Sequence, residues 1–296
     1  MGQVIVVTGC SSGFGRQVSE MLARRGDRVY ATMRASEKKN SHIARDLRAM
    51  ATREKLDLHV IELDVASANS VDAAAAMILS EAGAPDVVIN NAGQMFVGIT
   101  EAFTAEELTR QLDINVVGVH RVNRAFLPAM RKRGKGLIIN ISSIAGRVAT
   151  PFFGIYHASK WALEGYSLAM RCELASSGID VTVVEPGPFG TALFRTSPAP
   201  ADADKRGKTY PDVVHTTFES AGAAFDSMLK DPAMPTDPTL VAQALIDVID
   251  QAPGTRSFRQ VVGIDLGVKD HNAGAAVLDA AVLATFGMTE FAKLRV

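Results

Sequence analysis

Cysteine is nearly absent from this chain: Cys10 and Cys172 are the only two in 296 residues. Two thiols so far apart make no disulfide framework and have no metal-ligand spacing, so a reducing, cytoplasmic setting without a bound metal is expected. An excess of either charge is also missing. Thirty-one Lys and Arg face 32 Asp and Glu, a formal net charge of −1, and no global field calls for nucleic acid or a membrane surface. The partner expected is a small molecule. Long apolar runs are absent too. The most apolar late stretch, "AGAAVLDAAVLATFGM" at 273–288, is short and interrupted by Asp279, so it reads as a buried or subunit-contact helix and not as a membrane span. The first residues run at once into "QVIVVTG" with no basic segment and signal-length apolar stretch behind it, and Val6 spoils a myristoylation motif.

What is present is apolar sequence in alternating blocks. Hydrophobic residues make up 47% of the chain, ample for a large core. Strand candidates lie at 4–8, 28–33, 58–63, 86–90, 137–142, 180–186 and 258–264, and helix candidates at 14–25, 38–54, 68–82, 104–133, 153–177 and 239–251. This alternation predicts an α/β fold with a parallel, doubly wound sheet covered on both faces. Ligands in such folds gather at the carboxyl ends of the strands. The whole chain, 1–296, reads as one domain. Residues 187–238 break the rhythm with seven scattered prolines, fit no regular strand, and are expected to form a substrate loop or lid. Residues 265–296 form a C-terminal extension.

The stretch "VTGCSSGFG" places Gly9, Gly13 and Gly15 between the first strand and the first helix. Free amides and the positive end of a helix dipole there suit a pyrophosphate. The second strand then selects among dinucleotides. A carboxylate at its end would hydrogen-bond a ribose 2′-hydroxyl, whereas this strand ends in Met33 and Arg34. A guanidinium there accommodates a 2′-phosphate, with Ser12 adding a hydrogen bond, so NADP(H) is preferred over NAD(H). A solvated Arg34 in a basic loop is the alternative.

On the long helix beginning near 153, "YHASK" sets Tyr156 and Lys160 one turn apart on one face. An adjacent ammonium favours the phenolate, so this pair is expected to draw the tyrosine toward neutral working pH. "NISSIAG" puts Ser143 just past a strand end, and "LDINVVG" puts Asn115 inside a helical segment where it marks a local distortion. His157 and His215 receive no role, His157 being expected to point away from the site.

Together with "NNAG" at 90–93, these motifs resemble the short-chain dehydrogenase/reductase family over residues 3–191, in order and in spacing. "VTGCSSGFG" and "VYATMR" look most like its NADP-linked hydroxysteroid, retinol and carbonyl reductase branch. The resemblance implies a single Rossmann-like domain with seven strands and hydride transfer between a nicotinamide and a carbonyl or secondary alcohol. It implies Tyr156 as acid/base and Ser143 as a hydrogen-bond partner of the substrate oxygen. Lys160 would bind the nicotinamide ribose and lower the Tyr156 pKa, and Asn115 would hold a water that relays protons. Cofactor residues implied are Gly9, Ser11, Ser12, Gly13, Phe14, Gly15, Arg34, Asp64, Val65, Asn91, Ala92, Gly93, Pro186, Gly187 and Thr191, besides Tyr156 and Lys160. Family members often pair, so a homodimer or homotetramer is expected. Gln94, Phe96, Val97, Ile144, Val148, Phe153, Phe189, Leu193 and Phe194 are mostly apolar candidates for the substrate wall, which suits an apolar carbonyl or alcohol. A dinucleotide-binding regulator or scaffold without turnover and an epimerase or dehydratase are the alternative functions. The intact Asn, Ser, Tyr and Lys set argues against a pure binder.

Overall fold

The structure, a computed structural model, describes residues 2–296. Seven short strands form its centre: β1 (Val4–Val7), β2 (Arg28–Met33), β3 (Leu58–Glu62), β4 (Val87–Asn90), β5 (Gly136–Ile141), β6 (Ile179–Pro186) and β7 (Arg259–Val262). They are all parallel, in the order β3-β2-β1-β4-β5-β6-β7. The central strands are nearly continuous in Val and Ile because both faces are covered, which removes the polar alternation of a half-exposed sheet.

The helices are α1 (Gly13–Arg25), α2 (Ser41–Glu54), α3 (Ala68–Ala82), α4 (Ala105–Leu112), α5 (Gly118–Arg133), α6 (Gly154–Ala175), the one-turn α7 (Ala192–Arg195), α8 (Asp212–Lys230), α9 (Thr239–Asp250) and α10 (Val268–Thr285). Successive strand residues point to opposite faces. Val7, Val29 and Ile89 thus pack with Leu22 of α1, Leu47 of α2 and Leu245 of α9. Val6, Tyr30 and Val88 pack with Ile78 of α3, Phe126 of α5 and Leu174 of α6. Strand order reverses between β1 and β4, and this crevice positions the site.

Three regions bear on the sequence expectation. The helix expected over 104–133 is interrupted by a π segment, Asp113–Val117, at Asn115, where a local distortion is expected. Residues 187–238 are not a loop throughout, since α8 runs for 19 residues. Counting prolines across the whole segment conceals the proline-free run between Pro211 and Pro232. Finally, of the two alternatives for the stretch that forms α10, burial within the chain is the one that fails: Val277, Leu278 and Val282, with Phe286 just past the helix end, are each more than half exposed. No helix among the described residues is long and apolar enough to cross a membrane.

Candidate active site

The turn from β1 into α1 is built on close backbone approach. Gly9 has φ +74, and a Cβ there would stand 2.8 Å from the Ala92 Cα. Only glycine takes this conformation at that spacing without strain. The hydroxyl of Thr8 accepts from the Asn91 and Ala92 amides at 3.0 and 2.9 Å, and the Asn91 side chain donates back to the Thr8 carbonyl at 2.8 Å. The glycine turn and the end of β4 are thereby one rigid edge. Gly15, counted from the resemblance among the cofactor residues, stands behind the turn. A Cβ there would meet the Gly9 carbonyl oxygen at 2.6 Å, and the residue does not line the cavity. It lets α1 pack onto the turn.

In front of this edge lies a cavity of about 810 Å³. Gly9, Ser11, Ser12, Gly13, Phe14, Arg34, Asp64, Val65, Asn91, Ala92, Gly93, Pro186, Gly187 and Thr191 line it, and so do Ser143, Tyr156 and Lys160. The trough fits a dinucleotide: it is cut close to the glycine backbone, meets the first turn of α1, and ends beside Arg34. Lys39 and Asn40 join Arg34 at that end. Sequence reasoning had passed over both, although Lys39 follows Arg34 by only five residues.

At the opposite end the wall is apolar. Gln94, Ile144, Val148, Phe153, Phe189, Leu193 and Phe194 line it as expected from sequence, joined by Met95, Phe225 and Met228. Phe96 does not. It is buried behind the wall and stacks on Phe103, with ring centroids 6.0 Å apart. Val97 packs in a second layer with Met95 and Tyr156. After β4 the chain turns so that Met95, not Phe96, faces the cavity. Phe225 and Met228 come from α8, whose residues no local pattern ties to the site. Phe225 stacks on Phe194 at 4.9 Å and 23°, and Phe218 meets Phe152 at 4.9 Å. These aromatic contacts seat α8 over the apolar end.

Four polar groups face this end or brace it. Ser143 caps the turn after β5: its hydroxyl accepts from the Ala145 amide at 3.1 Å and donates to the Pro186 carbonyl at 3.3 Å. Lys160 donates to the Ile141 carbonyl at 2.8 Å, with its ammonium 5.7 Å from the Tyr156 ring centre. Asn115 is buried in the π segment, and its side-chain hydrogen bonds go to residues other than Lys160. Its side chain accepts from the Gln94 amide and donates to the Gln94 carbonyl, both at 2.9 Å, and donates to Ser159 at 3.0 Å. It therefore clamps the segment after β4 to α6. His157, expected to point away, lines the cavity instead. The Thr150 amide donates to its Nε2 at 2.9 Å, so the proton sits on Nδ1, which donates to the Ala145 carbonyl at 2.8 Å.

The electrostatics overturn one expectation. Burial pushes the Tyr156 phenol up to about 12, with the Ser143 hydroxyl pulling weakly the other way. Burial also brings the Lys160 ammonium down to about 8, while the charge of Glu164 opposes that. In the protein alone, desolvation sets the direction for both groups, and Ser143, not the lysine neighbour, is what opposes it at the phenol. The tyrosine stands ready as a proton donor, not as a phenolate. Cys10, beside the glycine turn, is an inert thiol that burial raises to about 12. Among the described residues no cluster of three or more His, Cys, Asp or Glu could hold a metal ion.

Comparison with known proteins gives consistent results. The short chain dehydrogenase family model matches residues 3–201. A 3-ketodihydrosphingosine reductase of Bacteroides thetaiotaomicron is 41% identical over 191 residues, which is 64% of this chain and 65% of that protein. A short-chain dehydrogenase structure from Streptomyces avermitilis superposes with a TM-score of 0.72 at 33% identity, covering 98% of this chain and 97% of the other. The NADPH complex of an actinorhodin polyketide ketoreductase variant superposes with a TM-score of 0.70 at 28% identity, covering 88% and 95%. With the family model spanning two thirds of the sequence and the same sheet recurring in these structures, the chain belongs to the short-chain dehydrogenase family and has its nicotinamide-dinucleotide-binding fold.

Proposed function

We propose that the protein transfers a hydride between NADP(H) and the carbonyl or secondary-alcohol carbon of an apolar small molecule. The observation that carries this reading is one continuous cavity with Arg34 and Lys39 at one end and Tyr156, Ser143 and Lys160 beside apolar walls at the other. Cations at the first end suit a 2′-phosphate, which NAD(H) lacks. The related proteins named for ketone reduction and the related NADPH complex support the same direction.

When bound, the reduced nicotinamide supplies the hydride that the carbonyl carbon accepts. Tyr156 donates its phenolic proton to the carbonyl oxygen, and a buried donor that stays protonated at neutral pH is suited to that step. Ser143 holds the same oxygen. Its present bond to Pro186 is long at 3.3 Å, so the hydroxyl can turn to the substrate at little cost. Lys160 binds the ribose and returns the proton to Tyr156, with a water held at the π segment of Asn115 completing the relay. Exposed Val277, Leu278 and Val282 of α10 suit contact with a second copy of the chain in a homo-oligomer.

Two measurements test the reading. NADPH oxidation followed across ketones, quinones, steroids and aldehydes should favour apolar ketones. Phe225→Ala should then raise KM for the best of them about tenfold with little change in kcat, because the aromatic platform binds the substrate and its transition state alike. A loss confined to kcat would remove α8 from the substrate wall. The second is a pH profile. Reductive kcat/KM should be level from about pH 6 to 7.5 and fall above about 8 as Lys160 loses its proton. The phenol, near 12, remains protonated over this range and sets no limb. A fall with rising pH that sets in already below pH 7 would point to a different acid.

A further inference from the structure

One helical turn beyond Lys160, charged side chains from four parts of the fold are buried together. Glu164 of α6 is 2% exposed and Glu185, at the end of β6, is wholly buried. Arg259 of β7 donates to Glu164 Oε2 at 2.9 Å and stands 3.8 Å from Glu185 Oε1. Its other face meets Asp279 of α10 at 3.5 Å. Asn272 of α10 donates to Glu185 Oε2 and accepts from Arg147 at 2.8 Å, Arg147 lying on the turn that follows Ser143. These bonds fix the two outer carboxylate oxygens.

The two inner oxygens have no such partners. Glu164 Oε1 and Glu185 Oε1 are both buried without a hydrogen bond, and the two carboxyl groups flank the same Arg259 Nε, Glu164 Oε2 at 2.9 Å and Glu185 Oε1 at 3.8 Å. Two ionised carboxylates in contact repel, and each buried lone pair left unpaired carries a desolvation cost. One proton placed between them removes the repulsion and satisfies both oxygens with a single short O–H···O bond.

We propose that Glu164 and Glu185 share one proton between their inner oxygens, and that the single negative charge left on the pair keeps the Lys160 ammonium charged, making Glu164 a positioning residue for the site. Burial, with the charge of Glu164 next, holds the Glu185 carboxyl well above the usual carboxylate range. The groups facing the pair are Lys160 from α6, Arg147 from the turn after Ser143, Arg259 from β7, and Asn272 and Asp279 from α10. Through Asn272 the C-terminal extension thus closes the back of the active site. The role given to Lys160 rests on the function proposed above, whereas the shared proton does not.

Infrared difference spectra test the proton directly. Wild-type protein at pH 7 should show the carbonyl stretch of a protonated carboxylic acid, and Glu185→Gln, which supplies a fixed donor in place of that proton, should remove it. Absence of such a band would overturn the shared proton. The effect on Lys160 is read from the alkaline limb of kcat/KM. Glu164→Gln should move its midpoint down by about half to one pH unit, leaving the rate at pH 8.5 about two- to fourfold further below its own pH 7 value than in wild type. Glu164→Asp should restore the limb. Superimposable limbs would overturn the positioning role. Should Glu164→Gln fail to fold, Glu185→Gln keeps the Arg259 bond to Glu164 and the single negative charge, so it should lose the infrared band with the limb left in place, and a limb moved down in that variant would overturn the charge argument. Turnover surviving in a Tyr156→Phe protein would sink the function and leave the infrared result standing.

Discussion

Tyr156→Phe should lower turnover about 10³-fold and leave NADPH affinity within about twofold of wild type. The first figure follows from removing a positioned proton donor, an effect usually between about 10² and 10⁴. The second follows from geometry. Tyr156 is 6% exposed and packs with Met95 and Val97 under Phe153 and Phe194, and phenylalanine fills the same volume. Only the hydroxyl is lost, and the Lys160 bond to the Ile141 carbonyl does not depend on it. The folded protein should therefore melt at the wild-type temperature or slightly above, since one buried hydroxyl has been removed. Stopped-flow single turnover together with titration of NADPH fluorescence separates the two quantities. More than about a tenth of wild-type turnover would assign proton donation to another group.

Arg34→Asp should weaken NADPH binding by about a hundredfold while changing NADH by less than about threefold. Paired, charge-assisted hydrogen bonds to a phosphate contribute roughly 1.5–3 kcal/mol, and a carboxylate in the same place adds repulsion. A hundredfold corresponds to about 2.7 kcal/mol. Aspartate can also accept from the 2′-hydroxyl of NADH, which opposes any general loss. The loop itself should hold its shape, because Asn40 donates to the Arg34 carbonyl at 2.7 Å whatever side chain residue 34 carries. Lys39→Ala, removing a second cation at the same end of the cavity, should have a smaller effect in the same direction. Calorimetric titration with both cofactors checks this. Equal losses for NADPH and NADH would mean that Arg34 supports the loop and does not read the phosphate.

The legible part of the site was the part written in short-range spacing. Tyr156 and Lys160 are one helical turn apart, Ser143 follows a strand, and the glycines open a helix, so each position is fixed by its own element. Asn115 was legible as a distortion, and a π segment stands there, yet its partners Gln94 and Ser159 were not. Those bonds join segments far apart in the chain. Phe96 was misplaced for a related reason: in an irregular segment after a strand, hydrophobicity alone does not tell which neighbour faces a cavity and which faces the core. The proline-rich stretch hid α8 because composition was averaged over 52 residues.

By itself the sequence determined the alternation of strands and helices, the anion-binding turn, and the order of the reactive residues, because periodicity and capping act over a few residues. Only the tertiary structure decided that Phe225 and Met228 reach the cavity, that Glu164 and Glu185 flank the same Arg259, and that burial governs the protons of Tyr156 and Lys160. Desolvation depends on everything packed around a group, and that packing exists only once distant segments have met.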